Sequence, residues 1–213
     1  MMACIAGCDA QMNTRWPGES LGMQSQIAAF VEQPGKKTFL AARDAVLALS
    51  PLPLVAAELA ELDRLLDLGE HQALLDRLDA LPSSKILSPR VHFLAAEAAD
   101  ALGHADDVEL ERSLFVLTLQ GLLATGDGTP VNPYIVCHPT DEYDVLAALG
   151  VEAARQSLVE REGRFCDVLL CTDGREVWFD TSASVVRPRP KRRVAIKRRR
   201  IVHRGLGTSR SRS

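Results

Sequence analysis

Apolar positions recur every three to four residues from about 38 to 124 and then alternate after Gly126, so the chain reads as helices followed by strands. Residues 1–37 hold no sustained period. Trp16-Pro17-Gly18 and Gln33-Pro34-Gly35 punctuate them, which predicts a poorly ordered lead-in with at most one short helix around Gln26 to Val31. Thr38 reads as the N-cap of a helix to about Leu49, stopped by Ser50-Pro51-Leu52-Pro53 because proline has no N–H to donate. A helix over 54–68 carries the stripe Val55, Leu59, Leu62 and Leu66, and Gly69 suits the position just past its end. The next, over 70–81, shows Leu74, Leu78 and Leu81 on one face. Ser88-Pro89 predicts a serine cap with proline in the first helical position, opening a helix that Gly103 closes. The last, over 105–124, is apolar on two faces: Leu110, Leu114 and Leu117 on one, Val108, Phe115, Leu119 and Leu122 on the other. Such a helix is normally covered on more than one side, so it should bridge the helical layer to the strands beyond Gly126.

After a turn-rich loop, Gly126-Asp127-Gly128-Thr129-Pro130 and Asn132-Pro133, Tyr134 to Cys137 reads as a strand. Thr140 caps a short helix to Leu149, with Asp141 and Glu142 near its positive end. Three strands follow at about 155–160, 164–172 and 175–180. Arg161-Glu162-Gly163 makes the first turn, and Asp173-Gly174 predicts a two-residue type I′ hairpin. The fold class is therefore α+β: helical hairpins packed on a small antiparallel sheet with one inserted helix. Gly69 and Gly103 lie 34 residues apart, the tetratricopeptide period, and the physical content of that spacing is two stacked αα-hairpins. The divisions are a lead-in (1–37), a helical region (38–125), a small α+β domain packed on it (126–184) and a disordered basic tail (185–213).

Several short motifs occur in order across about 85–182: Leu87-Ser88-Pro89-Arg90, Leu123-Ala124-Thr125, Gly126-Asp127-Gly128-Thr129, Pro133-Tyr134-Ile135-Val136, Asp141-Glu142-Tyr143, Gln156-Ser157-Leu158-Val159, Asp167-Val168 and Val177-Trp178-Phe179-Asp180. The set resembles a bacterial domain-of-unknown-function family with a Gly-Asp-Gly loop, an Asp-Glu-Tyr helix start, a Gln-x-Leu-Val strand and a Phe-Asp ending. The resemblance implies a fold and supplies no catalytic residues.

Charge divides the chain. Of its 25 basic and 28 acidic residues, 12 basic and no acidic ones fall within 187–213, so residues 1–186 carry 13 basic and 28 acidic groups, a balance of −15. No apolar run approaches the roughly 20 residues that cross a bilayer. Ile5-Ala6-Gly7-Cys8 has the form of a lipoprotein cleavage box, but no positive segment and no longer apolar stretch precede it. Cys4, Cys8, Cys137, Cys166 and Cys171 are odd in number and match no disulfide or zinc spacing, as expected of reduced thiols in a cytoplasmic protein. No cofactor and no metal are expected.

Candidate chemistry is sparse. Carboxylates of Asp127, Glu142 and Asp167, with Asp141 and Asp144 beside them, supply acid–base groups if they converge. Otherwise Asp127 holds a turn, Asp141 and Glu142 complement a helix dipole, and Asp167 is a structural hub partnered by Arg155, Gln156 or a backbone donor. Cys137-His138 could meet Cys166 or Cys171, although neighbours in a strand point to opposite faces. Lys191, Arg192, Arg193, Lys197, Arg198, Arg199 and Arg200 could contact nucleic acid or another anionic surface, with phosphate contact alone and hence weak, sequence-independent binding. The leading expectation is a non-catalytic protein-interaction or scaffold module that engages a protein partner through its helical hairpins. The alternatives are a small hydrolase or ligand-binding domain using Asp127, Glu142 and Asp167, and nucleic-acid association through the tail.

Overall fold

The computed structural model describes residues 21–49 and 56–183. Helix α1 (Leu21–Glu32) starts five residues before Gln26, because Met23, Ile27 and Phe30 recur at helical spacing and are all buried. It packs on α2 (Lys36–Leu49), where Phe39 meets Phe30 edge-on with ring centroids 5.4 Å apart. Among the described residues the packed helical region thus already includes Leu21–Glu32, ahead of 38. Thr38 does not cap α2: its hydroxyl donates to the carbonyls of Gln33 (2.7 Å) and Gly35 (3.0 Å), tightening the α1–α2 turn from inside the helix. The proline stop at 50–53 and Val55 lie outside the described residues, as do Cys4, Cys8 and the basic tail.

Helices α3 (Ala56–Asp67), α4 (His71–Asp79), α5 (Pro89–Leu102) and α6 (Ala105–Leu123) form stacked hairpins, with a 3₁₀ turn at Ser83–Leu87 before α5. Leu62, Leu65, Leu74, Leu78, Leu81, Val91, Leu94 and Ala98 make one core cluster. Each large aliphatic side chain buried there contributes about 1.5–3 kcal/mol. Helices α3 and α5 end on Schellman motifs. The N–H groups of Gly69 and Glu70 reach the carbonyls of Leu66 and Leu65, and those of Gly103 and His104 reach Asp100 and Ala99.

Helix α6 does bridge the two halves. It packs on α5, and also touches α2, the sheet and the helix inserted in it. Gly121 marks where it comes closest to its neighbours: a Cβ there would collide with the rings of Phe39 and Phe30. Within α6, Glu111 and His92 of α5 are both buried. The His92 ring places Nδ1 2.7 Å from a Glu111 carboxyl oxygen and Nε2 2.7 Å from the Ile86 carbonyl oxygen.

Strands β1 (Tyr134–Ile135), β2 (Ala153–Arg161), β3 (Arg164–Cys171) and β4 (Glu176–Asp180) lie in the order β1-β4-β3-β2. The sheet is mixed and not wholly antiparallel as the sequence suggests. Strands β2, β3 and β4 form the expected meander, but β1 pairs parallel to β4, Tyr134 with Phe179. Helix α7 (Asp141–Ala148) explains this. It carries the chain from β1 across one face to the opposite edge, so β2 resumes in the direction of β1, and two antiparallel turns later so does β4. The inner face presents Leu169, Cys171, Val177 and Phe179 to a second core cluster with α1, α2 and α7.

The type I′ turn falls at Glu162-Gly163 and not at Asp173-Gly174 as expected. Glu162 (φ +54°) and Gly163 (φ +77°) are both left-handed, and Arg161 pairs with Arg164, the geometry of a type I′ turn. At the other end Gly174 alone has positive φ (+87°). The Gly174 N–H reaches Cys171 and the Cys171 N–H reaches Arg175, giving a three-residue loop with a left-handed third position. Among the described residues no helix is long and apolar enough to cross a membrane.

Candidate functional site

The 3₁₀ turn at Ser83–Leu87 turns Lys85 and Ser88 inward, and both are buried. The Lys85 ammonium lies 3.5 Å from Glu58, and burial pulls its pKa down against the attraction of Glu58 and Asp141. Ser88 makes no cap bond to α5. Its hydroxyl instead donates to Asp141 at 2.9 Å, while the second Asp141 oxygen accepts the His138 N–H at 2.9 Å. Asp141 therefore reaches back and across to another helix and does not simply complement its own helix dipole. Burial raises its pKa to about 7 in spite of those donors and of Lys85. Asp144 is also raised to about 7 by burial and by Asp141, opposed by the Arg90 charge and backbone N–H at the start of α5. Thr140 makes no cap bond either, and its hydroxyl is buried without a partner.

Glu142, next in the chain, has a different environment. It is fully buried, one of its oxygens meets no donor, and the other is 3.4 Å from the Gln156 side-chain nitrogen. Its neighbour is the carboxyl of Asp167 in β3. Burial comes first and Asp167 second in raising Glu142 to about 9, so at neutral pH it holds a proton and hydrogen-bonds to Asp167. The partner of Asp167 is thus another acid, in place of the expected Arg155, Gln156 or backbone donor. Gln156 serves Glu142 instead and receives the Tyr143 hydroxyl at 3.3 Å.

The structure brings Glu142 and Asp167 together and leaves Asp127 apart. Asp127 is exposed in the Gly-Asp-Gly turn, where one oxygen accepts the Thr129 N–H at 3.0 Å and bonds from Thr129 and Asn132 hold its pKa down. Cys137, Cys166 and Cys171 are buried, and burial is the leading cause raising each thiol. No group of three or more His, Cys, Asp or Glu residues placed to hold a metal occurs among the described residues. The tail cations from Lys191 to Arg200 lie outside them.

A second feature is only half legible in the sequence. The outward face of α6 borders a recess of about 760 Å³ lined by Asp100, Val108, Arg112, Val116, Leu117 and Gln120, among others. Val116 is 48% exposed there. The signal lies in the run Leu114-Phe115-Val116-Leu117: four consecutive apolar residues sweep roughly 300° of a helix, so one must face away from the core. Around it the hairpin from Glu97 to Gln120 holds six acidic residues and a single Arg112, and Glu97, Asp100, Asp106, Asp107 and Glu109 are exposed.

The chain matches no protein-family model, no curated protein and no solved structure.

Proposed function

We propose that the protein is a non-catalytic protein-interaction module that receives a basic, amphipathic segment of a partner on the outward face of α5–α6. The observation that carries this reading is the exposed Val116 in a recess on a hairpin whose exposed charges, Arg112 apart, are acidic. An apolar anchor beside a mainly acidic hairpin, where Arg112 pairs with Asp100 at 3.0 Å and Glu109 carries no such cation, suits a segment with aliphatic residues on one side and lysines or arginines on the other. The tetratricopeptide-like stacking of the hairpins, which presents such faces on rigid helices, supports it. Asp141 also points away from catalysis, since Ser88, His138 and Lys85 commit it to joining α5 to α7. Buried thiols accord with a reducing, cytoplasmic setting.

The test is a titration of the full chain with a labelled leucine/lysine amphipathic peptide of about five helical turns and its leucine/glutamate counterpart. The lysine peptide should bind and the glutamate peptide should not. Val116→Arg should abolish binding, whereas Val131→Arg, at another exposed valine, should leave it intact. Equal binding by the two valine variants would refute the assignment of the face.

A further inference from the structure

On α6 the recess beside α5 is bordered by Ala105, Val108, Glu109, Arg112, Val116 and Gln120, which recur at helical spacing along one side. From Ala105 to Gln120 that side runs for about 22 Å. The recess therefore has room for a segment of roughly seven extended residues. Val116 exposes nearly half of its surface within it. Of the exposed acids on the hairpin, Asp100 pairs with Arg112 at 3.0 Å and Asp107 lies 3.9 Å from His104. Glu97, Asp106 and Glu109 have no cationic partner among the described residues.

One segment of this chain has the complementary character. Val194-Ala195-Ile196 stands between Lys191-Arg192-Arg193 and Lys197-Arg198-Arg199-Arg200, and Ile201-Val202 follow. No acidic residue falls between Arg187 and Ser213. The chain leaves the sheet after β4, which pairs with β1, and β1 in turn touches α6. From Ala183 to Val194 is a step of eleven residues, which spans up to about 36–40 Å. A body of this size has a radius of gyration of about 15 Å. The aliphatic group can thus reach the recess with the fold intact.

We infer that the segment from Lys191 to Val202 is the native occupant of the α5–α6 face, so that the chain regulates its own docking site. The inference rests on the function proposed above and names what fills the face before a partner arrives. Val194 and Ile196 cover Val116, and the flanking cations lie over the acids of the hairpin. Tethered to the body, the segment meets the face at an effective concentration on the order of mM, and a partner's segment must displace it.

The test compares the native full chain with the full chain carrying Val194→Asp and Ile196→Asp. Amide resonances of Val108, Glu109, Arg112, Val116 and Gln120 should move between the two. The leucine/lysine peptide should bind the tail variant about 10-fold more tightly than the native chain. In a Val116→Arg background, where the recess is blocked, the same tail changes should leave the α6 amides in place. If the α6 amides do not move and the peptide binds both chains equally, the inference falls and the α5–α6 reading stands. If those amides move but the peptide binds neither chain, the reading of a separate partner falls and the tail remains the occupant. Tail-dependent shifts that map to another face overturn the inference. So do α6 shifts that disappear on about tenfold dilution, because the segment then comes from a second copy of the chain.

Discussion

Glu142 of α7 lies against the carboxyl of Asp167 in the central strand and keeps its proton there, across the interface that joins the inserted helix to the sheet. With both ionised, two like charges would face each other in a space closed to water on the Glu142 side.

That retained proton sets the sign of a pH dependence. Glu142 titrates near 4.5 when unfolded and at about 9 in the fold, so the folded state retains a proton that the unfolded state has released. Stability should therefore fall as pH rises from about 4.5 to 9. Asp141 and Asp144, raised from 3.8 to about 7, act in the same direction between about 4 and 7. Melting temperature should be higher near pH ~5 than near pH ~8.5. Glu142→Gln, which keeps a donor for Asp167 and cannot ionise, should flatten that slope. It should also stabilise the protein on the alkaline side by an amount on the order of a few kcal/mol. A melting profile unchanged by the substitution would rule out the retained proton.

The Ser88–Asp141 bond tests the junction of the two halves separately. Ser88→Ala leaves a buried carboxyl with one donor fewer and should cost about 1.5–3 kcal/mol, read from the midpoint of urea unfolding near pH ~8. Near pH ~5, where Asp141 is protonated, the cost should shrink.

Much of this junction is invisible in the linear sequence for a physical reason. Leucine stripes and helix-ending glycines act within one or two turns, so Leu62, Leu74, Leu94, Gly69 and Gly103 can be placed from local pattern alone. Ser88 and Thr140 carry the same local signal for capping, yet the Ser88 hydroxyl is drawn to a carboxyl 53 residues away. Alternation along the strands reveals the meander and the orientation of Asp167, but not its partner. That depends on how α7 crosses the sheet, and so does the parallel pairing of β1 with β4.

His92 and Glu111 form a buried pair between α5 and α6, with acceptors facing both ring nitrogens. Glu111→Leu should cost about 3–5 kcal/mol because it strands a buried polar ring. The double change His92→Phe with Glu111→Leu should recover most of that loss, since both polar groups then leave together. Chemical denaturation of the single and double variants provides the cycle. A double variant no more stable than Glu111→Leu alone would mean that packing, and not the unpaired group, sets the cost.

The turns supply opposite predictions. Glu162 holds a left-handed conformation that favours glycine and asparagine, so Glu162→Asn should raise stability by about 0.5–1 kcal/mol. Gly174→Val should lower it by about 1–3 kcal/mol, because a β-branched residue is strained at φ +87°. Thermal melts of the two variants should shift in opposite directions.

Strand β2 ends the sheet on the side away from β1, and most of its nine residues are exposed. An outermost strand of that length offers a row of backbone donors and acceptors on which a second chain could template itself, the first step toward fibrils. The irregularity in register between Ala153 and Arg155 bends this row, and Arg155, Glu160 and Arg161 place charge along it. An incoming strand would have to match a kink and set its own charges against three others. Self-propagating assembly through this edge is thereby disfavoured, and the ladder stops at four strands.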